Sequence, residues 1–228
     1  MSTRAQAIAI VQRLRTEGYE CLLAGGCVRD MLLAKEPQDY DIATSARPED
    51  IQRIFPNTIP VGAQFGVIVV MLDGAPYEVA SFRHDGPYLD GRRPSAVRYG
   101  TLEEDIHRRD FTINGMVYDP IADRVIDLVG GQEDLRRGLV RAIGDPQARL
   151  EEDRLRMIRA VRFAASLNFA IDPPTFAAIQ NLAPSIAVIS GERIGEEITR
   201  ILIEGGARRG FELLDESGLL KIVLPEIV

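Results

Sequence analysis

The stretch Leu22-Leu23-Ala24-Gly25-Gly26-Cys27-Val28-Arg29-Asp30, followed by Asp39-Tyr40-Asp41, decides the reading of this chain. An apolar run ends in two glycines and passes into a short helix-like segment carrying Arg29. Adjacent glycines let a backbone come close to a bulky anion, and the helix start behind them offers free N–H groups. Arg29 adds a fork of donors suited to phosphate. Asp39 and Asp41 lie two residues apart, and on a strand that spacing sends both to one face. Two convergent carboxylates beside a phosphate cradle are what a pair of divalent ions needs for phosphoryl transfer.

Alone, a Gly-Gly after a strand is commonly a tight turn and an Asp-x-Asp a solvated one. In this order and so close together they point to a nucleotidyltransferase. The flanking elements fit a mixed sheet with helices packed on it. Apolar spacing predicts a helix over Thr3 to Glu17 and a buried strand over Cys21 to Ala24. A short helix over Val28 to Leu33, a strand over Tyr40 to Ala43 bearing the acidic pair, and a helix over Pro48 to Phe55 follow. Val67 to Leu72 and Tyr77 to Phe82 are β-branched runs joined across Asp73-Gly74-Ala75-Pro76, a hairpin signal. Glu78 lies on the second of these strands. It is read as solvent-facing, with a place beside Asp39 and Asp41 as the other possibility.

His84 to Gly100 has little periodicity and is read as a long loop, functional or disordered. After a helix over Glu103 to His107 comes Arg108-Arg109-Asp110-Phe111-Thr112-Ile113-Asn114, where Asp110 is expected to cap a helix starting at Phe111. A last short strand spans Val125 to Leu128 and is closed by Gly130-Gly131. Beyond Glu133 strand signals nearly vanish, apart from Leu139 to Ala142. Helices are expected over Gln147 to Asn168, Pro173 to Leu182, Glu192 to Glu204 and Arg208 to Ser217. This shift divides the chain into an α/β (α+β) domain over 1–137 and an all-helical domain over 138–228.

Composition narrows the classes. At 228 residues, with 46% apolar and 27% charged, the balance is that of a soluble globular protein. No apolar run reaches the length of a membrane span, which argues for no membrane partner and a cytoplasmic setting. Cys21 and Cys27 match no zinc-site spacing. The net charge of −7 argues against a surface that wraps nucleic acid nonspecifically. Lysine occurs only at Lys35 and Lys221, so the positive charge is nearly all arginine, which suits bidentate contacts to phosphates and bases.

The expected long helix carries a second constellation. Asp153, Arg156, Arg159 and Arg162 recur every three residues, a stripe along a helix that is otherwise largely apolar. A salt-bridged surface would explain the stripe. So would a carboxylate and a guanidinium used as a pair. Cytosine and adenine each present an amino donor beside a ring-nitrogen acceptor. Asp153 can accept from the first and Arg156 donate to the second. Uracil and guanine present the reverse order and would be repelled. Arg159 and Arg162 remain for a triphosphate or for packing.

With these residues assembled, the chain resembles the class II tRNA nucleotidyltransferases, the CCA-adding enzymes, and their poly(A) polymerase relatives. The matching stretches are Gly25 to Asp30, Asp39-Tyr40-Asp41, Arg108 to Asn114, Gly130-Gly131, Glu152 to Arg156, and Arg159 to Phe163. The resemblance implies a polymerase-like nucleotidyltransferase palm followed by a helical neck. It implies Mg²⁺ on Asp39 and Asp41, and phosphate contacts near Gly26 and Arg29. Arg109 and Asp110 are placed near ribose and phosphates, and Glu152 to Arg156 at the incoming base. The implied activity is template-independent addition of C and A to the tRNA 3′ end from CTP and ATP. An A-adding enzyme, a poly(A) polymerase or a non-catalytic nucleotide-binding module are the alternatives. The loop from His84 to Gly100 matches the family's flexible loop and favours CCA or A addition over CC addition. The family continues into body and tail domains past the neck, whereas this sequence stops at Glu226-Ile227-Val228. Weak tRNA binding is the corresponding expectation. Oligomeric state is left open.

Overall fold

The computed structural model describes residues 3–86 and 97–227, and in these the chain divides into two compact units. The first comprises 3–86, 97–109 and 113–132; the second comprises 110–112 and 133–227. The centre of the expected loop, 87–96, lies outside the described residues.

The first unit is a mixed seven-stranded sheet with helices. Its elements are α1 (Arg4–Thr16), β1 (Cys21–Ala24), α2 (Gly26–Leu32), β2 (Asp41–Thr44), α3 (Pro48–Ile54), β3 (Thr58–Gly62), β4 (Val67–Leu72), β5 (Ala75–Ser81), β6 (Arg83–Asp85), β7 (Val97–Tyr99), α4 (Leu102–His107), β8 (Val117–Asp119) and β9 (Arg124–Ile126). The strand order is β3-β4-β5-β2-β1-β8-β9, and β6 pairs separately with β7. All sheet neighbours run antiparallel except β2 and β5.

Register sorts the side chains onto two faces. Leu23 pairs with Ile42, and Ile42 with Val79. Tyr77 lies two residues before Val79, and its hydroxyl accepts from the Thr3 N–H at 2.8 Å, so α1 covers this face. The opposite face carries Leu22, Ala24 and Ala43, packed with Phe82, Ile106 and Val117. Ala24 pairs with Asp41. Asp41 therefore stands at the end of that second face, where β1 gives way to the glycine turn. The hairpin appears as expected, with β5 beginning at Ala75 rather than Tyr77.

The second unit is mostly helical: α5 (Gly131–Arg137, which the chain enters from the first unit), α6 (Pro146–Glu152), α7 (Arg156–Leu167), α8 (Pro173–Leu182), α9 (Gly191–Ile203), α10 (Ala207–Glu216) and α11 (Leu220–Val223). Two short strands, β10 (Leu139–Val140) and β11 (Ala170–Ile171), pair in parallel. Asp172 caps α8 by accepting from the Thr175 N–H, with Pro173 in the first turn.

Two expected helices differ. The one foreseen over Gln147 to Asn168 is broken in two. Asp153 has extended backbone (φ −138°, ψ 105°), and its Oδ1 accepts from the Leu155 N–H at 3.1 Å. An aspartate that binds the backbone two residues on competes with helix continuation and opens a new start. The helix foreseen at Phe111 is reduced to a single 3-10 turn over Thr112–Asn114. Phe111 bridges to Ala142, the Thr112 N–H donates to the Arg141 carbonyl, and the Ile143 N–H donates to the Asp110 carbonyl. Strand-like pairing uses the backbone groups that a helix would need.

Candidate active site

In the first unit the glycine turn, Asp41 and Arg109 meet. Gly25 has φ +74°, a conformation that favours glycine. A Cβ at Gly25 would stand 3.3 Å from Arg109 Nη1 and 3.6 Å from Asp41 Oδ2. The backbone conformation therefore calls for glycine here, and a Cβ would also press lightly on Arg109. Gly26 opens α2, and a Cβ there would stand 3.6 Å from Arg29 Nη2. Arg29 donates through Nη1 to Asn114 Oδ1 at 2.8 Å and through Nε to Asp30 Oδ1 at 2.9 Å.

Arg109 is held from α4. Asp105, 1% exposed, accepts from Arg109 Nη2 at 2.9 Å and from Arg108 Nη2 at 2.7 Å. Burial would raise the Asp105 carboxyl, but the two guanidinium groups outweigh it and hold it below its ordinary range. Sequence reading passed over Asp105. Its spacing of three and four residues before the Arg-Arg pair on one short helix is the signal that would have found it.

Asp39 precedes β2 rather than lying on it, so the shared strand face expected of the acidic pair is replaced by a loop and a first strand position. Glu78 falls opposite the start of β2. Ile42 pairs with Val79 and Ala43 with Ala80, so the same parallel register brings Glu78 beside Asp41 on the second face. Glu78 is exposed, as expected, and it is also an electrostatic neighbour of Asp41. The Asp41 side chain is open to water on one side and crowded by protein on the other. That crowding and then the Glu78 charge push its carboxyl up to about 6; Arg109 opposes the rise and Asp39 adds to it. None of Asp39, Asp41 and Glu78 has a basic side chain within ion-pair distance among the described residues.

These oxygens suit a hard divalent cation, which would relieve the like-charge crowding. Magnesium is commonly held by one or two carboxylates together with substrate phosphates. Among the described residues no three His, Cys, Asp or Glu side chains gather as a metal cluster by themselves. Asp39 and Asp41 offer the one or two carboxylates that such an ion takes.

The second unit is matched rather than crowded. Asp110 Oδ2 accepts from Arg159 Nη2 at 2.7 Å and Nε at 3.0 Å, and Oδ1 from the Phe111 N–H at 2.7 Å. Burial opposes ionisation, but Arg159 overrides it and brings the Asp110 carboxyl down to about 2. Arg162, 4% exposed, donates to Glu197 Oε2 at 2.7 Å and Glu204 Oε2 at 2.8 Å. Its guanidinium lies 4.2 Å from the Phe163 ring centroid, a cation–π contact. Those contacts tie Arg162 to Glu197 and Glu204. Asp153 and Arg156 do not pair with each other. Asp153 Oδ2 accepts from Arg193 Nη2 at 3.0 Å, while Arg156 Nη1 donates to Glu152 Oε2 at 2.6 Å. Arg193 and Glu197 on α9 are absent from the sequence reading because they answer the stripe from some forty residues downstream.

Residues 21–141 match the family described as poly A polymerase head domain, and the chain belongs to that family. Residues 168–228 match the one described as probable RNA and SrmB-binding site of polymerase A. Within this class the similarity is to CCA-adding enzymes. The CCA-adding enzyme of Geobacillus stearothermophilus is 46% identical over 215 residues, covering 94% of this chain and 53% of that protein. A solved structure of the Bacillus stearothermophilus CCA-adding enzyme in complex with CTP matches with TM-score 0.88 at 43% identity, covering 96% of this chain and 53% of that one. A tRNA nucleotidyltransferase complexed with a primer tRNA and an incoming ATP analog matches with TM-score 0.79 at 27% identity, covering 94% of this chain and 62% of that one. The chain spans about half the length of the curated relatives it matches.

Proposed function

We propose that this protein carries the catalytic portion of a template-independent nucleotidyltransferase that adds C and A to the 3′ end of tRNA, with CTP and ATP as donors. The observation that carries the reading is the crowding of Asp39, Asp41 and Glu78 beside the Gly25 turn and Arg109. Like charges gathered this closely repel one another, and a cation placed among them relieves the repulsion. In this reading residues 1–137 form the nucleotidyltransferase head and 138–228 the helical neck, and the setting is cytoplasmic. No helix among the described residues is long and apolar enough to cross a membrane.

Asp39 and Asp41 would hold Mg²⁺, with Glu78 adjacent. Bound there, such ions neutralise charge on a transferring phosphoryl group. The chain's own cations do the positioning. Arg109, fixed by Asp105, presents Nη1 at the glycine turn, and Gly26 with the first N–H groups of α2 lines the same approach. Arg29 is oriented by Asp30 and Asn114 to serve the triphosphate. In the neck, Asp153 accepts from the exocyclic amino group of cytosine or adenine and Arg156 donates to the ring nitrogen. Asp110 and Arg159 brace one another beneath that reader.

The test is incubation with labelled CTP and ATP, Mg²⁺ and a tRNA lacking its terminal residues. Sequential incorporation of C and A supports the reading. Incorporation of A alone identifies an A-adding or poly(A) activity. Nucleotide binding without incorporation identifies a binding module.

A further inference from the structure

We infer that Arg154, in the turn between α6 and α7, is a phosphate contact for the RNA strand being extended; the choice of strand over nucleotide rests on the base-reading role given above to Asp153 and Arg156. Charge around this turn is closely matched. Glu152 takes both Arg149, at 2.7 Å, and Arg156, at 2.6 Å. Asp110 takes Arg159, while Glu197 and Glu204 take Arg162. Asp153 is met by Arg193 at 3.0 Å. Arg154 stands apart, with no carboxylate within ion-pair distance among the described residues. Glu151, three residues back, instead accepts from Gln147 Nε2 at 2.7 Å.

The Arg154 guanidinium is also poorly bonded. Nη1 reaches the Glu151 carbonyl at 3.5 Å, the outer limit of a hydrogen bond. Nε is shut away from solvent without an acceptor. Nη2 has no protein acceptor among the described residues and keeps contact with solvent. A solvated surface arginine leaves its N–H groups in water. Arg154 is half-buried, and one of its N–H groups has given up water with no replacement, a loss that is largest for a charged group. A donor left over in this way calls for a partner from outside. An anion with several oxygens is what a guanidinium fork fits.

Nucleotide chemistry says which phosphate. In a nucleoside triphosphate the ribose separates the phosphates from the base edge that Asp153 and Arg156 read. The triphosphate is served by Gly26, Arg29 and Arg109 of the first unit. A cation next to the base reader is placed instead for the strand whose 3′ end receives the nucleotide, because the last base of that strand lies against the incoming one. The net charge of −7 leaves RNA affinity to local cations that the protein has not already paired.

The experiment titrates the full chain and its Arg154→Ala, Arg154→Lys and Arg154→Gln variants with labelled tRNA lacking its terminal residues, over a series of salt concentrations. Calorimetry with CTP and with UTP, each with Mg²⁺, and thermal unfolding accompany it, with Asp153→Ala as the control for base reading. Arg154→Ala is expected to bind the RNA roughly tenfold more weakly at low salt, the scale of one charged contact. The slope of log affinity against log salt should flatten by about 0.7, the value of one contact to a single strand. Arg154→Lys keeps the charge and most of the slope. CTP affinity and the CTP:UTP preference stay at the wild-type level in all three variants. Unchanged RNA affinity and slope in Arg154→Ala would overturn the contact, as would absence of RNA binding by the unaltered chain at low salt. Lost CTP affinity with an unchanged slope would give the phosphate to the nucleotide and overturn it equally. If Arg154→Ala does not fold, a wild-type slope in Arg154→Gln, which removes the charge and keeps a polar side chain, overturns the proposal. Wild-type CTP:UTP preference in Asp153→Ala would overturn the base reader, a result read separately from the RNA slope.

Discussion

Asp41 in the first unit, open to water on one side, and Asp110 in the second, buried, are both carboxylates, and their surroundings drive them in opposite directions. Asp41 is pushed up to about 6, first by the protein packed against one side of it, then by the Glu78 charge, with Asp39 adding a smaller push. Asp110 has Arg159 in bidentate contact and is drawn down to about 2. The first group of charges is internally repulsive and is completed by something from outside. The second is internally satisfied, and its charges set geometry. Substitutions should therefore separate the two units by what they damage.

The largest effect is expected at the crowded site. Asp39→Ala or Asp41→Ala should lower nucleotide incorporation by about a thousandfold or more, because charge stabilisation at the transferring phosphate is the dominant catalytic contribution. The thermal unfolding midpoint should hold or rise, since a repulsive charge has been removed. Near-normal incorporation by either variant would remove the acidic pair from the mechanism and dissolve the contrast.

The matched site should behave the other way. Asp110→Asn leaves the Arg159 guanidinium with Glu197 alone, at 3.7 Å, and the lost charge-assisted contacts should cost about 1.5–3 kcal/mol. Urea denaturation at pH 7 should show the loss. The pH dependence has a definite sign. Asp110 ionises in the unfolded chain near its ordinary 3.8 and in the folded one at about 2. Its contribution is therefore fully present above about pH 4 and is lost as pH falls toward 2. The wild-type stability curve should steepen in that window and the Asn variant's should not. Equal slopes would mean that the Asp110–Arg159 pair adds nothing to stability.

Sequence patterns carried much of this. The β1 strand falls where the apolar run predicted it, because four buried residues ending in two glycines admit few alternatives. The mixed sheet with helices, followed by a helical region, is present as read. What escaped was set by contacts between distant residues. The Phe111 segment reads as a helix start until its backbone pairs with Arg141 to Ile143. The helix break at Asp153 needs an aspartate to choose its own backbone over helix continuation, which periodicity does not register. Glu78 could be placed beside Asp41 only through the β2–β5 register, and Arg193 only through the packing of α9 near Asp153.

A smaller effect is expected in base choice. Asp153→Ala or Arg156→Ala should erode the preference for CTP and ATP over UTP and GTP by about 1–3 kcal/mol, the value of one bidentate contact. Competition assays with mixed nucleotides would measure it. Wild-type preference in both variants would make this pair another satisfied structural contact, like Arg162 with Glu197.

The smallest effect tests the repulsion at Asp41 directly. Asp41→Asn removes the charge and keeps the shape. The Asp41 carboxyl is raised in the folded state, from an ordinary 3.8 to about 6, so its ionised form opposes folding. That penalty is fully present above about pH 6, declines as pH falls through 6, and is gone below about pH 4, where both states are protonated. Because Asp41 is partly open to water, solvent weakens the effect, and in metal-free buffer at pH 7 the Asn variant should melt only about 1–3 °C above wild type. At pH 4 the two should melt together. Adding Mg²⁺ at pH 7 should raise the wild-type midpoint and leave the variant's nearly fixed, since a cation stabilises the state whose carboxylates it relieves. A variant that melts below wild type at pH 7 would show that Asp41 is held by attraction rather than crowded by repulsion, and the distinction between the two units would then fail at its central residue.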